Sequence, residues 1–244
     1  SVTLTATDNT GGSGVKESRI CADLTNTCVP TLGASAIVIS EGTSYVRYQS
    51  MDNANNLETL KVYQVKIDNT APAAPTVSAL AQFSNLDSQN ISWSASSDNV
   101  SGLAGYQIFG CSVAGSTAAC APNNQLGSPT LTGFNDSSAK PDGTQYFYSV
   151  RAVNNAGLVS ADSNTVSVII DKSAPTPPSL SALSVTGFIN ALPSVLNWSL
   201  SQDPGVLASG LNNYNVYKGL SSSLLNLLTT THSDVRTYAE SALT

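Results

Sequence analysis

Apolar and polar residues alternate along most of this chain, in short runs separated by turn residues. In the clearest run every second position is apolar, at Tyr146, Tyr148, Val150 and Ala152. This period of two predicts a strand with one buried face. Residues 154–157 then supply Asn and Gly, which tolerate positive φ, and the alternation resumes at Val166, Val168 and Ile170. The pattern predicts a long β-hairpin that closes a domain.

Two linkers follow hairpins of this kind. The first reads Ile67-Asp68-Asn69-Thr70-Ala71-Pro72, and the second reads Ile170-Asp171-Lys172-Ser173-Ala174-Pro175. Proline ends a strand because it has no backbone N–H to donate, so each segment predicts a short, stiff connection between domains.

The chain also repeats a strand that runs into an aspartate turn. Its three copies lead to Asp8, Asp98 and Asp203, and a Ser-Gly-apolar turn follows each of them. The spacing of roughly 100 residues is that of one β-sandwich. We therefore predict an all-β chain of three tandem sandwiches: a first repeat at residues 1–70, a second at 71–172 and a third at 173–244.

The first and third repeats lack strands that the second repeat has. Nothing precedes Val2 to form a first strand, and the third repeat has no closing hairpin, which would expose core residues and unpaired edges. We expect the missing strands to belong to a longer array, or alternatively to another chain. The run LSSSLLNLL at residues 220–228 suits either strand or a short helix, and we interpret it as strand.

Composition excludes some partners. Charged residues make up 11% of the 244 residues, and the net charge is -6. An acidic chain without clustered Lys and Arg does not favour nucleic acid. No apolar run approaches the roughly 18 residues of a membrane-spanning helix.

Four cysteines form two local pairs, Cys21/Cys28 and Cys111/Cys120, each bracketing a short polar segment after a strand. Hairpin arms bring such positions within bridging distance, so we predict two disulfides. Reduced thiols are the alternative, and a zinc site would need closer spacing and more histidine. Disulfides imply an oxidising compartment, so we expect a periplasmic, cell-surface or secreted, extracellular protein.

Residues 75–171 resemble a bacterial fibronectin type III domain, through Trp93, the segment SSDNVSGLAGYQIF and the Gly143-Thr144-Gln145-Tyr146 corner. The third repeat resembles the first five strands of another such domain, with Trp198 and Tyr214-Asn215-Val216-Tyr217. The first repeat is similar to bacterial Ig-like surface repeats, and it departs from the fibronectin pattern at Leu4. The resemblance implies a β-sandwich but no particular function, because adhesins, fibres and polysaccharide-degrading enzymes all use these modules.

Calcium is the cofactor that the loops suggest. In an Ig-like sandwich, the loop after the second strand, the last hairpin turn and the entering linker meet at one pole, and the linkers look like the Asp/Asn-rich joints of cadherins. Carboxylate, amide and backbone oxygens suit this cation. The candidate ligands are Asp68, Asn69, Asp98, Asn99, Asn154 and Asn155 at the first joint, Asp8, Asp52 and Asn53 in the first repeat, and Asp171 and Asp203 at the second joint. The alternative is that these residues only make Asx-turns.

Catalytic motifs are not evident. His232 is the sole histidine, and its neighbours Ser233 and Asp234 are adjacent in sequence, whereas a catalytic triad converges from separate elements. We expect the strand tryptophans to be core residues, and we expect no glycosylation at the chance sequons. Lys61 and Lys66 are formal candidates for an isopeptide bond, supported only by position.

The sequence therefore predicts a non-catalytic stalk or spacer of a bacterial surface fibre or adhesin. The alternative is a spacer within a secreted polysaccharide-degrading enzyme. Expected partners are neighbouring repeats, other copies in a fibre, and a cell-surface or glycan ligand bound by a distal domain.

Overall fold

A computed structural model describes residues 2–32, 36–37, 39–181, 194–219 and 223–240. Throughout these ranges the regular structure is β-strand, without a helix, which confirms the predicted all-β class. Each sheet draws its strands from one of the three repeats. The exact domain boundaries stay a prediction.

The first repeat contains a larger and a smaller sheet. Strands β3, β2, β5 and β6 form the larger sheet in that order, and β1 pairs with β4 in the smaller one. The bounds are β1 (Val2–Thr3), β2 (Val15–Asp23), β3 (Thr31–Leu32), β4 (Ala36–Ile37), β5 (Gly42–Asp52) and β6 (Lys61–Ile67).

The second repeat has the same plan with one addition. Its larger sheet runs β10-β9-β12-β13-β7, where β7 adds in parallel to β13, and β11 pairs with β8 in the smaller sheet. The bounds are β7 (Phe83–Ser84), β8 (Gln89–Ser92), β9 (Leu103–Ala114), β10 (Asn124–Gly127), β11 (Gly133–Asp136), β12 (Thr144–Asn154) and β13 (Val166–Ile170). The hairpin predicted from alternation is β12–β13, which pairs Tyr148 with Val166 and Thr144 with Ile170.

The third repeat pairs β14 with β17 and β15 with β16. Their bounds are β14 (Ser194–Asn197), β15 (Asn213–Gly219), β16 (Leu225–His232) and β17 (Thr237–Glu240). The strand interpretation of LSSSLLNLL is correct from Leu225 onward, while residues 220–222 and 241–244 lie outside the described residues.

The core of the second repeat shows why alternation predicts this fold. One face of β12 is buried, with Val150 and Ala152 both 0% exposed. Trp93 from the opposite sheet packs edge-on against Tyr106, with ring centroids 5.4 Å apart. Tyr106 also accepts a hydrogen bond from the Ser96 amide at 3.0 Å. The strand tryptophan is therefore a core residue, as its position in the alternation predicts.

Candidate functional site at the joints between repeats

Each repeated aspartate caps the loop that follows its strand. Asp98 Oδ1 accepts hydrogen bonds from the amides of Val100, Ser101 and Gly102 at 2.9–3.1 Å. Asp8 accepts from the Gly14 amide, and Asp203 from the Gly210 amide, each at 2.6 Å. The same side chain therefore holds the same loop in all three repeats, which is the Asx-turn role.

Two neighbouring side chains hold each closing hairpin turn. They are Asp52 and Asn53 in the first repeat, and Asn154 and Asn155 in the second. Asp52 Oδ1 accepts from the Asn56 amide at 2.8 Å, as Asn154 Oδ1 does from the Leu158 amide. Asn53 Nδ2 donates to Ser13 O and Asn155 Nδ2 to Ser101 O, both at 2.8 Å. These bonds tie the hairpin turn to the capped loop, so both belong to one pole.

Asn154 also holds the first linker. Its Nδ2 donates to Asp68 Oδ2 at 2.8 Å, to Thr70 O at 3.1 Å and to Asp98 Oδ2 at 3.2 Å. The side chain is 1% exposed, and its Oδ1 accepts from the Ala156 and Leu158 amides, which fixes the orientation of the amide. The linker is thereby attached to the second repeat.

Two carboxylates, those of Asp68 and Asp98, meet the neutral side-chain amide of Asn154 at this junction. Burial alone would raise the pKa of Asp98, but the hydrogen bonds from Asn154, Gly102, Ser101 and Val100 lower it below its usual range. Asp98 is therefore ionised at neutral pH, and the Asn154 amide bridges it to the linker.

The other side of each linker is held by an acidic residue that the sequence analysis missed. Asn69 N donates to Glu41 Oε1 at 3.3 Å. At the second linker, Asp142 accepts from Lys172 N at 2.8 Å and from Ser173 Oγ at 2.6 Å. Glu41 and Asp142 both precede a Gly-Thr corner, so the internal repeat was a signal for them.

The second linker is also attached to the third repeat. Asp171 Oδ2 accepts from Ser209 N at 2.6 Å, and Asp203 Oδ2 accepts from Ser209 Oγ at 3.3 Å. Hydrogen bonds with Ser209 lower the pKa of Asp171. The joint is also tightly packed, since a Cβ added to Gly143 would lie 2.8 Å from Val206 O.

The candidate calcium ligands are thus brought together only in part. Asp68, Asp98 and Asn154 meet at the first joint, and Asp171 and Asp203 meet at Ser209. Asn99 and Asn155 are exposed, and Asp8, Asp52 and Asn53 hold turns of the first repeat. The described ranges contain no group of three or more His, Cys, Asp or Glu side chains arranged to hold a metal ion. Calcium binding stays a prediction.

The cysteines pair as the spacing predicts, Cys21 with Cys28 and Cys111 with Cys120. The first bridge closes a loop organised by Asp23. Burial would raise the pKa of Asp23, but hydrogen bonds from Thr27, Thr25 and Cys28 lower it to about 2. Each bridge ties the segment that follows β2 or β9 back to that strand.

The remaining candidates have local partners. His232 Nδ1 lies 2.8 Å from Asp234 Oδ1, and the histidine side chain is 75% exposed. Lys61 forms an ion pair with Glu58. Within the described residues, no helix is long and apolar enough to cross a membrane.

A buried ionic cluster in the second repeat was not predicted. The Lys140 side chain is 0% exposed, and its Nζ donates to Asp136 Oδ2 at 2.8 Å. Tyr148 Oη donates to the same oxygen at 2.9 Å, and Lys140 Nζ lies 4.8 Å from the Tyr146 ring centre. The cluster ties the segment before β12 to the core.

Comparisons with known proteins place these repeats. No family model matches the chain. It is 38% identical over 161 residues to exoglucanase B of Cellulomonas fimi, a match covering 62% of this chain and 13% of that protein. It is 31% identical over 166 residues to chitinase A1 of Niallia circulans, covering 63% of this chain and 20% of that protein. The chain therefore matches a fifth or less of each relative's length.

Among solved structures, the fibronectin(III)-like modules of Clostridium thermocellum CbhA match at 11% identity and a TM-score of 0.36, over 64% of this chain and 78% of that chain. A TM-score this low does not bear on the fold, which follows from the strand order. The strand order and the repeated sequence pattern show an all-β chain whose repeats resemble fibronectin type III modules.

Proposed function

We propose that this chain is a non-catalytic, stiff spacer that holds neighbouring parts of an extracellular protein at a set separation and orientation. The observation that carries the proposal is the double attachment of each linker. Glu41 and Asn154 hold the first linker from both sides, and Asp142 and Ser209 hold the second. Because a spacer transmits position only if its joints resist bending, fastened linkers suit this role.

The larger protein is, in this proposal, a secreted polysaccharide-degrading enzyme. The support is that both sequence relatives carry enzyme names, an exoglucanase and a chitinase. The two disulfides suit an oxidising, extracellular location. The stalk of a surface fibre or adhesin remains the second candidate. It is favoured by the tandem arrangement and by the low fraction of charged residues, 11%.

The two settings are distinguished by what flanks the repeats in the native polypeptide. Intact mass and peptide sequencing of the secreted protein should reveal a hydrolase domain if the enzyme setting is correct. Flanks made of further repeats with a wall anchor would instead support the fibre.

The spacer role itself is tested by replacing residues 71–172 in the native protein with a flexible Gly/Ser linker of equal contour length. In the enzyme setting, we expect slower hydrolysis of insoluble polysaccharide and unchanged hydrolysis of a short soluble substrate. If the variant hydrolysed both substrates at the rates of the native protein, a positional role would be contradicted.

A further inference from the structure

The third repeat carries a longer capped loop than the second. In the second repeat three residues separate the capping Asp98 from Gly102, and in the third repeat six separate Asp203 from Gly210. Asp203 accepts from the Gly210 amide as Asp98 accepts from the Gly102 amide, so both loops begin and end on the same kind of hydrogen bond. The added residues of the third repeat therefore extend an otherwise shared loop.

The extended loop contacts the second repeat at two glycines. A Cβ added to Gly143 would lie 2.8 Å from Val206 O, and one added to Gly115 would lie 3.7 Å from Val206 Cγ1. The two glycines are paired, because the Gly115 amide donates to Gly143 O at 2.8 Å, and their φ angles are 65° and 66°. With no Cβ on either residue, the loop can approach the backbone closely. Gly115 and Gly143 together form a glycine notch on the second repeat.

The first joint lacks the corresponding contact. Gly42 is the counterpart of Gly143, since each precedes the threonine of a Gly-Thr corner. Gly42 also has a positive φ, 105°, but among the described residues no atom beyond its chain neighbours lies within 4 Å of a Cβ placed there. The capped loop that follows the first joint is the shorter one, Asp98–Gly102. The difference between the joints therefore follows the difference in loop length.

The extended loop also has a strained backbone. Leu207 has a φ of 64°, in the left-handed region that a leucine rarely adopts. Such a residue stays there only where its surroundings hold it. Val206 beside it is 61% exposed, so burial of that side chain in a core does not hold the loop. The contacts that remain are the glycine notch and the hydrogen bond from Ser209 N to Asp171 Oδ2 at 2.6 Å.

We propose that residues 204–208 form a latch whose partner is the glycine notch of the preceding repeat, and that this latch fixes the rotation of the third repeat about the second linker. Neighbouring domains move relative to one another unless an interface opposes the motion, and a contact beside the linker supplies a second point of attachment. The latch requires glycine at the notch, because a side chain at Gly143 would meet the backbone at Val206 O. The inference rests on the spacer role and adds that the second joint has a fixation that the first lacks.

Two variants of the full chain remove the latch, one from each side. The first replaces residues 204–208 with Asn-Val, which gives the loop the length of the second repeat's loop and retains the Ser209 bond to the linker. The second is Gly143→Ala. Its matched control is Gly42→Ala, which also places a Cβ on a glycine of positive φ but meets no neighbour.

Double electron–electron resonance measures each joint separately, with spin labels attached by non-cysteine chemistry. The Thr130–Asn226 pair spans the second joint, and the Thr10–Thr130 pair spans the first. We expect the Thr130–Asn226 distribution to broaden in the loop variant, and to broaden or shift its mean in Gly143→Ala. The Thr10–Thr130 distribution should stay unchanged in both variants, and Gly42→Ala should change neither distribution.

Folding of the third repeat is verified by Trp198 fluorescence in a Trp93→Phe background. If the loop variant lost the fluorescence of the unsubstituted repeat, Gly143→Ala would decide the question, because it leaves the third repeat's sequence intact.

Two outcomes would overturn the proposal. An unchanged Thr130–Asn226 distribution in the folded variants would show that the linker hydrogen bonds alone fix the second joint. Equal broadening of the Thr10–Thr130 distribution would show that the effect is not confined to that joint. Failure of the spacer proposal is distinguishable from both, because the two distributions would then be broad before any substitution.

Discussion

Lys140 shows how much a single buried ion pair can organise in a repeat of low charge. Its Nζ contacts the Asp136 carboxylate and the Ser138 hydroxyl, and Tyr148 donates to the same carboxylate. Burial alone would raise the pKa of Asp136, but the hydrogen bonds from Lys140, Ser138 and Tyr148 lower it overall. Burial and the hydrogen bond to Asp136 raise the pKa of Tyr148, so the phenol remains a donor. In this cluster, the charge of Lys140 and the charge of Asp136 each offset the cost of burying the other.

Removing the lysine should therefore be costly. Lys140→Ala leaves a buried carboxylate without its cation, and we expect a loss of about 3–5 kcal/mol in the free energy of unfolding of the second repeat. Lys172→Ala is the matched control, because it breaks an exposed pair with Asp87 and should cost less than about 1 kcal/mol. Urea unfolding followed by Trp93 fluorescence in a Trp198→Phe background measures both, and equal losses would contradict the assigned role.

The same cluster predicts acid sensitivity. Because the pKa of Asp136 is lower in the folded state than its ordinary value of 3.8, its contribution to stability is complete above that value and is lost as the pH falls through the folded pKa. We expect the urea midpoint of the second repeat to fall as the pH drops below about 4.

The double variant Asp136→Asn/Lys140→Met serves as the control for that titration. It should show a weaker dependence over the same range, since the remaining lowered carboxylates, such as Asp98, still titrate. If the urea midpoint fell equally steeply with pH in both proteins, groups other than Asp136 would cause the acid sensitivity.

Among the strands and loops, alternation and turn residues account for most of the features that the sequence predicted. The β12–β13 hairpin and the buried face of β12 depend on local patterns, and those predictions agree with the structure. The Asx-capped loops correspond to the alternative that the sequence analysis gave beside calcium binding. Lys140 was missed because its burial depends on Asp136 and Tyr148, which only the folded chain brings together. Glu41 and Asp142 were missed because their hydrogen bonds to the linkers form only in the folded chain, although their shared position before a Gly-Thr corner was a signal in the internal repeat. Parallel addition of β7 likewise depends on tertiary packing.

The first joint offers a direct test of why an asparagine stands at 154. In Asn154→Asp the turn keeps its Oδ1 acceptor, but the donor to Asp68, Thr70 and Asp98 becomes a third carboxylate oxygen. Like-charge repulsion should then loosen the joint, and calcium at millimolar concentration should restore it, because three carboxylates and a carbonyl suit that cation. Calorimetry and the melting temperature with and without calcium measure the effect.

Asn155→Asp is the matched control for this substitution. Its Nδ2 donates to Ser101 O, which lies within the second repeat. We expect no calcium-dependent rise in melting temperature in that variant. A calcium response of equal size in both variants would show that the first joint is not the responding site.

The disulfides act on their own hairpins. Cys111 and Cys120 are nine positions apart, and in the chain-entropy account a loop of that size contributes about 2–3 kcal/mol. We expect Cys111→Ser/Cys120→Ser to lower the unfolding free energy of the second repeat by that amount. The corresponding pair in the first repeat, Cys21→Ser/Cys28→Ser, should leave the second repeat unchanged. A loss shared by both repeats would mean that they unfold as one unit.

In the proposed spacer, the fastened linkers would make the tandem repeats one stiff body. Both joints use the same elements: an acidic residue before the Gly-Thr corner, a linker carboxylate, and a capped loop in the next repeat. Packing of Val206 against Gly143 adds to the second joint. These hydrogen bonds account for the recurrence of Asp and Asn at the linkers.

The most direct test is a set of distance distributions by double electron–electron resonance. Spin labels would be placed through non-cysteine chemistry at Thr10, Thr130 and Asn226, one in each repeat. We predict one narrow distribution for each pair that spans a joint, and a broader Thr10–Thr130 distribution in Asn154→Asp without calcium. Broad distributions across both joints in the unsubstituted chain would contradict the account of this chain as a stiff spacer.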